Sequence, residues 1–231
     1  MCHWRCHDSR TDVRTSPVAQ RGPAYTEPVS TVDTRSSADL DTETASLRGF
    51  GIFLLVTAGI AWLASFILTV EKVNLLKNPG EALACDISAF VSCGGVVNQE
   101  QAEVFGFPNP LMGIAGFAVV GTIGVLLASG GAIPRWFWAG LQVGVLFGVG
   151  FVTWLQSQSI YVIEVLCPYC MVVWLMMIPM FVVTTGQVLR QYRPDSGLTR
   201  FVNDWRVLIT ALWLITIAAL IWFQFGSRLW S

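Results

Sequence analysis

Residues 50–70 read FGIFLLVTAGIAWLASFILTV, 21 positions without a charge. At about 1.5 Å per residue a helix of that length spans roughly the 30 Å hydrocarbon core of a bilayer. In lipid the backbone of such a run must satisfy its hydrogen bonds as helix, so the stretch predicts a transmembrane anchor. Four further runs of similar length follow: Leu111 to about Ala128, Trp136 to Trp154, Met171 to Val188, and Val207 to Phe225. None contains Asp, Glu, Lys, Arg or His. Core helices of a soluble bundle would keep a charged face. The pattern therefore predicts an all-α integral membrane protein with five spans.

Composition agrees. The 231 residues are 54% hydrophobic and 13% charged, with mean hydropathy +0.59, against about 25% charge in soluble domains. Lys+Arg number 14 and Asp+Glu 15, which leaves no basic excess for nucleic acid. His3 and His7 are the two histidines, so the rest of the chain has no imidazole for haem, a catalytic metal or a general base. Trp136, Trp138, Trp154, Trp205 and Trp230 fall near span ends, where amphipathic rings favour the headgroup region. Residues 1–47 are Ser/Thr-rich, carry Pro17, Pro23 and Pro28, and read as a disordered tail. With no apolar stretch near Met1, no cleavable signal of the usual form is expected. The cluster Cys2-His3-Trp4-Arg5-Cys6-His7 has one residue too many for a haem-attachment C-x-x-C-H and is assigned no role.

Basic residues orient the chain. With the N-terminus in the cytoplasm, the inner segments hold Arg5, Arg10, Arg14, Arg21, Arg35, Arg48, Arg135, Arg190, Arg193, Arg200 and Arg206, and the outer ones only Lys72, Lys77 and Arg228. The positive-inside bias favours that topology. Residues 71–110 are then a long extracytoplasmic loop, with Leu155–Leu166 a shorter one on the same side. Cys85 and Cys93 lie in the long loop, and Cys167 and Cys170 at the outer mouth of the fourth helix. All four would face an oxidising compartment, where disulfides persist.

Cys167-Pro168-Tyr169-Cys170 is a C-x-x-C at a helix start, with Pro where a missing N–H costs nothing. The positive helix end favours a thiolate, the nucleophile of disulfide exchange. A static disulfide or a zinc half-site reads the same way, although the seven residues between Cys85 and Cys93 are unlike zinc-ligand spacing. In a continuous helix eight residues rise about 12 Å, beyond the roughly 7 Å that a disulfide allows between Cα atoms. The loop must therefore fold back for Cys85 and Cys93 to pair, and Gly94-Gly95 supplies flexibility there. A loop dithiol beside a membrane-mouth dithiol is the minimum for an electron relay. With no charge inside the runs to mark an ion path, the fitting acceptor is a lipid-soluble two-electron carrier, a quinone.

Taken in order, Cys85-Asp86-Ile87-Ser88, Ser92-Cys93, Phe105-Gly106-Phe107-Pro108-Asn109-Pro110-Leu111-Met112-Gly113 and Cys167-Pro168-Tyr169-Cys170 resemble the vitamin K epoxide reductase family in its bacterial disulfide-forming branch. The likeness covers about Phe50 to Val188. It implies a four-helix transmembrane bundle around a quinone, menaquinone or ubiquinone, capped by the outer loop and joined by a fifth helix. By position, Cys85 would exchange with a thioredoxin-fold partner, Cys93 would pass electrons to Cys167, and Cys170 would face the quinone. Asn109 matches a family asparagine that hydrogen-bonds a quinone carbonyl, though Asn-Pro also suits a turn. Phe107 falls in the same motif as a further quinone contact. Trp174 stands where animal members place a quinone-bonding tyrosine; its indole donates but does not accept, and lipid-facing packing is the alternative. Many bacterial relatives carry a fused thioredoxin-like domain after the fifth helix, whereas only Gly226–Ser231 remain here, so the partner is expected to be a separate protein.

The resulting organisation is a cytoplasmic tail (1–47), a redox domain (48–190) with its outer cysteine loop (71–110), and a cytoplasmic loop with the fifth helix (191–231), all in a multi-pass cell-membrane protein. The expected activity is thiol-disulfide:quinone oxidoreduction that reoxidises the partner and so drives extracytoplasmic disulfide formation. Reduction of quinone or quinone epoxide as the main task, or a non-catalytic membrane protein with static disulfides, are the alternatives.

Overall fold

A computed structural model describes residues 33–78, 83–88 and 90–229. The chain divides into two units, Met1–Leu40 and Asp41–Ser231, and the second holds all five spans and the four loop cysteines. The Cys2/His3/Cys6/His7 cluster and Trp230 lie outside the described residues. The long helices are α1 (Asp33–Lys77), α3 (Asn109–Ala128), α4 (Arg135–Gln158), α5 (Pro168–Tyr192) and α6 (Gly197–Leu229). A single turn, α2 (Gly94–Val97), and a 3-10 turn (Glu100–Glu103) punctuate the loop between α1 and α3. Among the described residues every regular element is helical, and five helices are long and apolar enough to cross a membrane.

Helix ends follow local chemistry. Proline occupies the first turn of α3 and of α5, where its missing N–H is an orphan anyway. Gly130, at φ +85°, ends α3 by turning left-handed, and its N–H and that of Gly131 donate to the carbonyls of Leu127 and Leu126. The start of α1 differs from expectation: it begins at Asp33, so residues 33–47, read from composition as tail, are helical. A helix already nucleated in the membrane propagates without a new nucleation cost, and Ala38, Leu40, Ala45 and Leu47 are good helix formers.

Four helices share one core. Leu54, Ala58 and Ala61 of α1 pack with Phe117 and Leu127 of α3, Trp138 and Val145 of α4, and Met177 and Met180 of α5. Trp138, expected at the headgroups, is instead buried and stacks on Phe50 at 5.9 Å; Trp136, two residues earlier, takes the exposed side. The α1–α3 crossing is backbone on backbone. A Cβ on Gly124 would stand 2.7 Å from the amide nitrogen of Leu55, and one on Gly51 would meet the Gly124 carbonyl oxygen at 2.8 Å. Small residues give such close approach in lipid, where packing drives helix association. The fifth helix, α6, sits outside this core and packs on α5, with Asn203 Nδ2 donating to the Gly186 carbonyl at 3.2 Å.

Candidate redox site

The loop returns on itself and is pinned to the start of α5. Ser92 N–H donates to Leu166 O at 3.0 Å and Leu166 N–H to Phe90 O at 2.8 Å, closing a parallel bridge between Val91 and Leu166. Cys93 stands two residues beyond Val91, and Cys167 directly follows Leu166. The bridge thus brings together two cysteines that are 74 positions apart, and their sulfurs lie 3.7 Å from each other. Cys93 is already bonded to Cys85, with Cα atoms 5.6 Å apart; Cys167 and Cys170 are free thiols.

A carboxylate holds the folded-back loop. Asp86 accepts from Leu83 N–H at 2.9 Å, Gly94 N–H at 3.0 Å and the Ser92 hydroxyl at 2.6 Å, and Ser92 in turn accepts from Gly95 N–H at 2.9 Å. Burial alone would raise the Asp86 carboxyl, but the hydrogen bonds from Ser92, Gly94, Leu83 and Cys93 outweigh it and hold it below the ordinary carboxylate value. Gly94 stays close beneath this carboxylate, since a Cβ there would meet Asp86 Oδ2 at 3.2 Å. The glycine pair therefore serves close packing here rather than looseness.

Cys93 and Cys167 are fully buried and Cys85 is 5% exposed, in a cluster with Leu68, Leu83 and Val97 on which Cys170 and Tyr169 pack. Cys167 is the N-cap of α5, with Pro168 first in the helix. A hydrogen bond from the Cys170 thiol, helped by the backbone N–H groups of Cys170 and Tyr169, holds the Cys167 thiol below its ordinary value against burial and the charge of Asp86.

Below the cluster lies a cavity of about 640 Å³ bounded by α1, α3, α4 and α5, within the range of small-molecule sites. Its wall is mostly apolar, from Leu68, Met112, Phe117, Val145, Phe151 and Met177, and Cys170 forms part of it. That fits a quinone, an apolar body with two carbonyl oxygens. Asn109 and Trp174 also line it. Asn109, nearly buried at the first turn of α3, donates from Nδ2 to Gln101 O at 2.7 Å and accepts at Oδ1 from Val104 N–H at 3.3 Å. It shapes the loop, and its second amide N–H is the donor left over. Trp174 is 5% exposed and packs with Ile178 and Ile217, so it faces the protein interior rather than lipid. Phe107 is half exposed beside Phe105 and is not on the cavity wall.

Lys72 has no counterpart among the residues singled out from sequence. Although α1 carries it past the apolar run, it is 7% exposed on the cavity wall. Its Nζ donates to Val97 O at 2.9 Å and pairs with Glu103 at 3.1 Å. The available signal was its place one turn beyond Leu68, on the face that Leu68 buries.

The model of the vitamin K epoxide reductase family matches residues 52–185 of the chain. No curated protein sequence matches it.

Proposed function

We propose that this chain, which belongs to the vitamin K epoxide reductase family, oxidises the dithiol of a separate thioredoxin-fold partner outside the cytoplasm and passes the electrons to membrane quinone. Membership itself makes it a membrane oxidoreductase of quinone-linked chemistry. The observation that carries the finer reading is the 3.7 Å separation of the Cys93 and Cys167 sulfurs, with Cys170 on the cavity wall.

From those positions the steps balance. A partner thiolate attacks Cys85, releasing Cys93 as thiolate, and the partner's second thiolate resolves the mixed disulfide and frees Cys85. Cys93 attacks Cys167 of an oxidised Cys167–Cys170 pair, and Cys170 leaves as thiolate. Cys85 then closes on Cys93, returning Cys167 to a thiolate. The result is an outer disulfide with an inner dithiol, the state of the four cysteines here. A bound quinone supplies the acceptor for two electrons and two protons, which Cys167 and Cys170 yield as their disulfide re-forms. The Cys170 hydrogen bond that lowers the Cys167 thiol favours its departure as thiolate when Cys85 closes on Cys93.

The test uses purified full-length protein in nanodiscs with a reduced thioredoxin-fold protein and ubiquinone-1. Partner oxidation and quinone loss should proceed one to one, and mass spectrometry of co-purified lipid should identify menaquinone or ubiquinone. If neither partner nor quinone changes while the Cys85–Cys93 bond stays closed, the protein is a static scaffold and the proposal fails.

A further inference from the structure

The acceptor needs protons as well as electrons, and they must be delivered inside an apolar cavity. Several polar wall groups are committed elsewhere: Ser65 donates to Ala61 O and Ser159 to Val165 O. The amides of Gln101, Asn109 and Gln158 have no proton to give up. The titratable side chains on the wall are Lys72, Tyr169 and Cys170.

Lys72 is joined to the water side by an ion pair. Its ammonium carries three N–H donors; Val97 O takes one and the Glu103 carboxylate another. Glu103 is 44% exposed, so one end of the pair meets solvent while the other lines the cavity. Lys72 also stands at the redox centre, because Val97, its acceptor, belongs to the cluster that contains Cys93 and Cys167 and on which Cys170 packs.

We propose that Lys72 Nζ hydrogen-bonds a quinone oxygen in this cavity and protonates it as the electron pair arrives, with Glu103 returning the proton from the water side. The inference rests on the relay proposed above. As the Cys167–Cys170 bond forms, the pair loses two electrons and two thiol protons. One quinone oxygen takes its proton from Lys72 and the other takes a thiol proton; the remaining thiol proton passes to water. Lys72, left as neutral amine, is recharged through Glu103. Net, dithiol plus quinone becomes disulfide plus quinol. The positive charge also offsets the negative charge that builds on the oxygen, as fixed cations do in dry sites.

The alternative role for Lys72 is a latch that merely ties the loop to α1, and Lys72→Arg separates the two. Arginine keeps the charge and the pairing with Glu103, but a guanidinium does not give up its proton. With the reduced thioredoxin-fold protein as electron source and ubiquinone-1 as acceptor, Lys72→Arg and Lys72→Gln should each lower kcat about 100-fold, the scale of a lost general acid, and Glu103→Gln should lower it less. Two readouts besides turnover accompany this. Quinone affinity, followed by quenching of tryptophan fluorescence, should stay within about 3-fold for Lys72→Arg on the scale of one hydrogen bond. Maleimide labelling of Cys167 in quinone-free protein should remain as slow as in the parent. Tyr169→Phe should keep its rate.

A Lys72→Arg protein with parental kcat, or a rate lost in Tyr169→Phe instead, overturns the proposal. If Lys72→Arg labels fast, its loop has opened and Lys72→Gln decides. A slow-labelling Lys72→Gln with full kcat is again fatal, as is a fast-labelling one, which makes Lys72 a latch. Failure of the unmutated protein to reduce quinone would sink the relay itself, a separate result.

Discussion

Cys170 acts on its neighbour as well as on the cavity. Because its thiol hydrogen-bonds Cys167 and lowers it, Cys170→Ala should move the onset of Cys167 alkylation to higher pH, read by mass spectrometry across a pH series. The same variant should trap a stable Cys93–Cys167 disulfide, and Cys167→Ala should lose it. A Cys93–Cys170 bridge in unmutated protein would exchange the two roles. Asp86 gives a pH prediction with a defined sign. Its carboxyl is held below the ordinary value in the folded loop, so its contribution is present above the pH at which an unfolded Asp ionises and is lost as pH falls through the depressed value. A phosphine reductant should therefore open Cys85–Cys93 more readily in that acid window. Asp86→Asn should be easier to reduce throughout and insensitive to pH there. Asn109→Ala removes two loop hydrogen bonds, each worth about 0.5–1.5 kcal/mol net. If its spare N–H also serves the quinone, the KM for ubiquinone-1 rises while exchange at Cys85 keeps its rate; equal loss of both makes Asn109 a loop residue only.

Among the elements, the α1–α3 crossing is the most sensitive to volume. Gly124→Leu places a side chain against the Leu55 backbone and should destabilise by about 1–3 kcal/mol or more, seen as a lower thermal midpoint in detergent. Gly59→Leu, on α1 with open space around its Cα, should change little. The spans themselves were legible because an uncharged run in lipid has one way to satisfy its backbone, and the prolines at residues 110 and 168 mark where two of them begin. What sequence could not show depends on chain segments meeting. Trp138 reads like an anchor by position, yet its burial needs Phe50 on a different helix. Lys72 reads as a loop charge beside Glu71 until Val97 and Glu103 fold over it. Residues 33–47 look like tail because local composition does not register the membrane helix they extend. The order of the four cysteines was readable; their approach depends on the Val91–Leu166 bridge, which no spacing rule supplies.

For the whole molecule, the arrangement of a four-helix core with α6 alongside leaves orientation to the charge count. A membrane-impermeant maleimide on intact cells should label Glu100→Cys and spare Ser196→Cys; the reverse pattern would invert the topology. With the outer bond closed, Cys93 and Cys167 have no exposed surface and Cys85 almost none. Small thiols in the medium therefore meet an insulated conductor, and reaching a sulfur requires local opening of the loop. A docking protein can supply the contact energy for that opening, whereas a free thiol supplies almost none. Insulation of this kind guards against a short circuit, in which ambient reductants would drain electrons into the membrane pool without making a disulfide in any client.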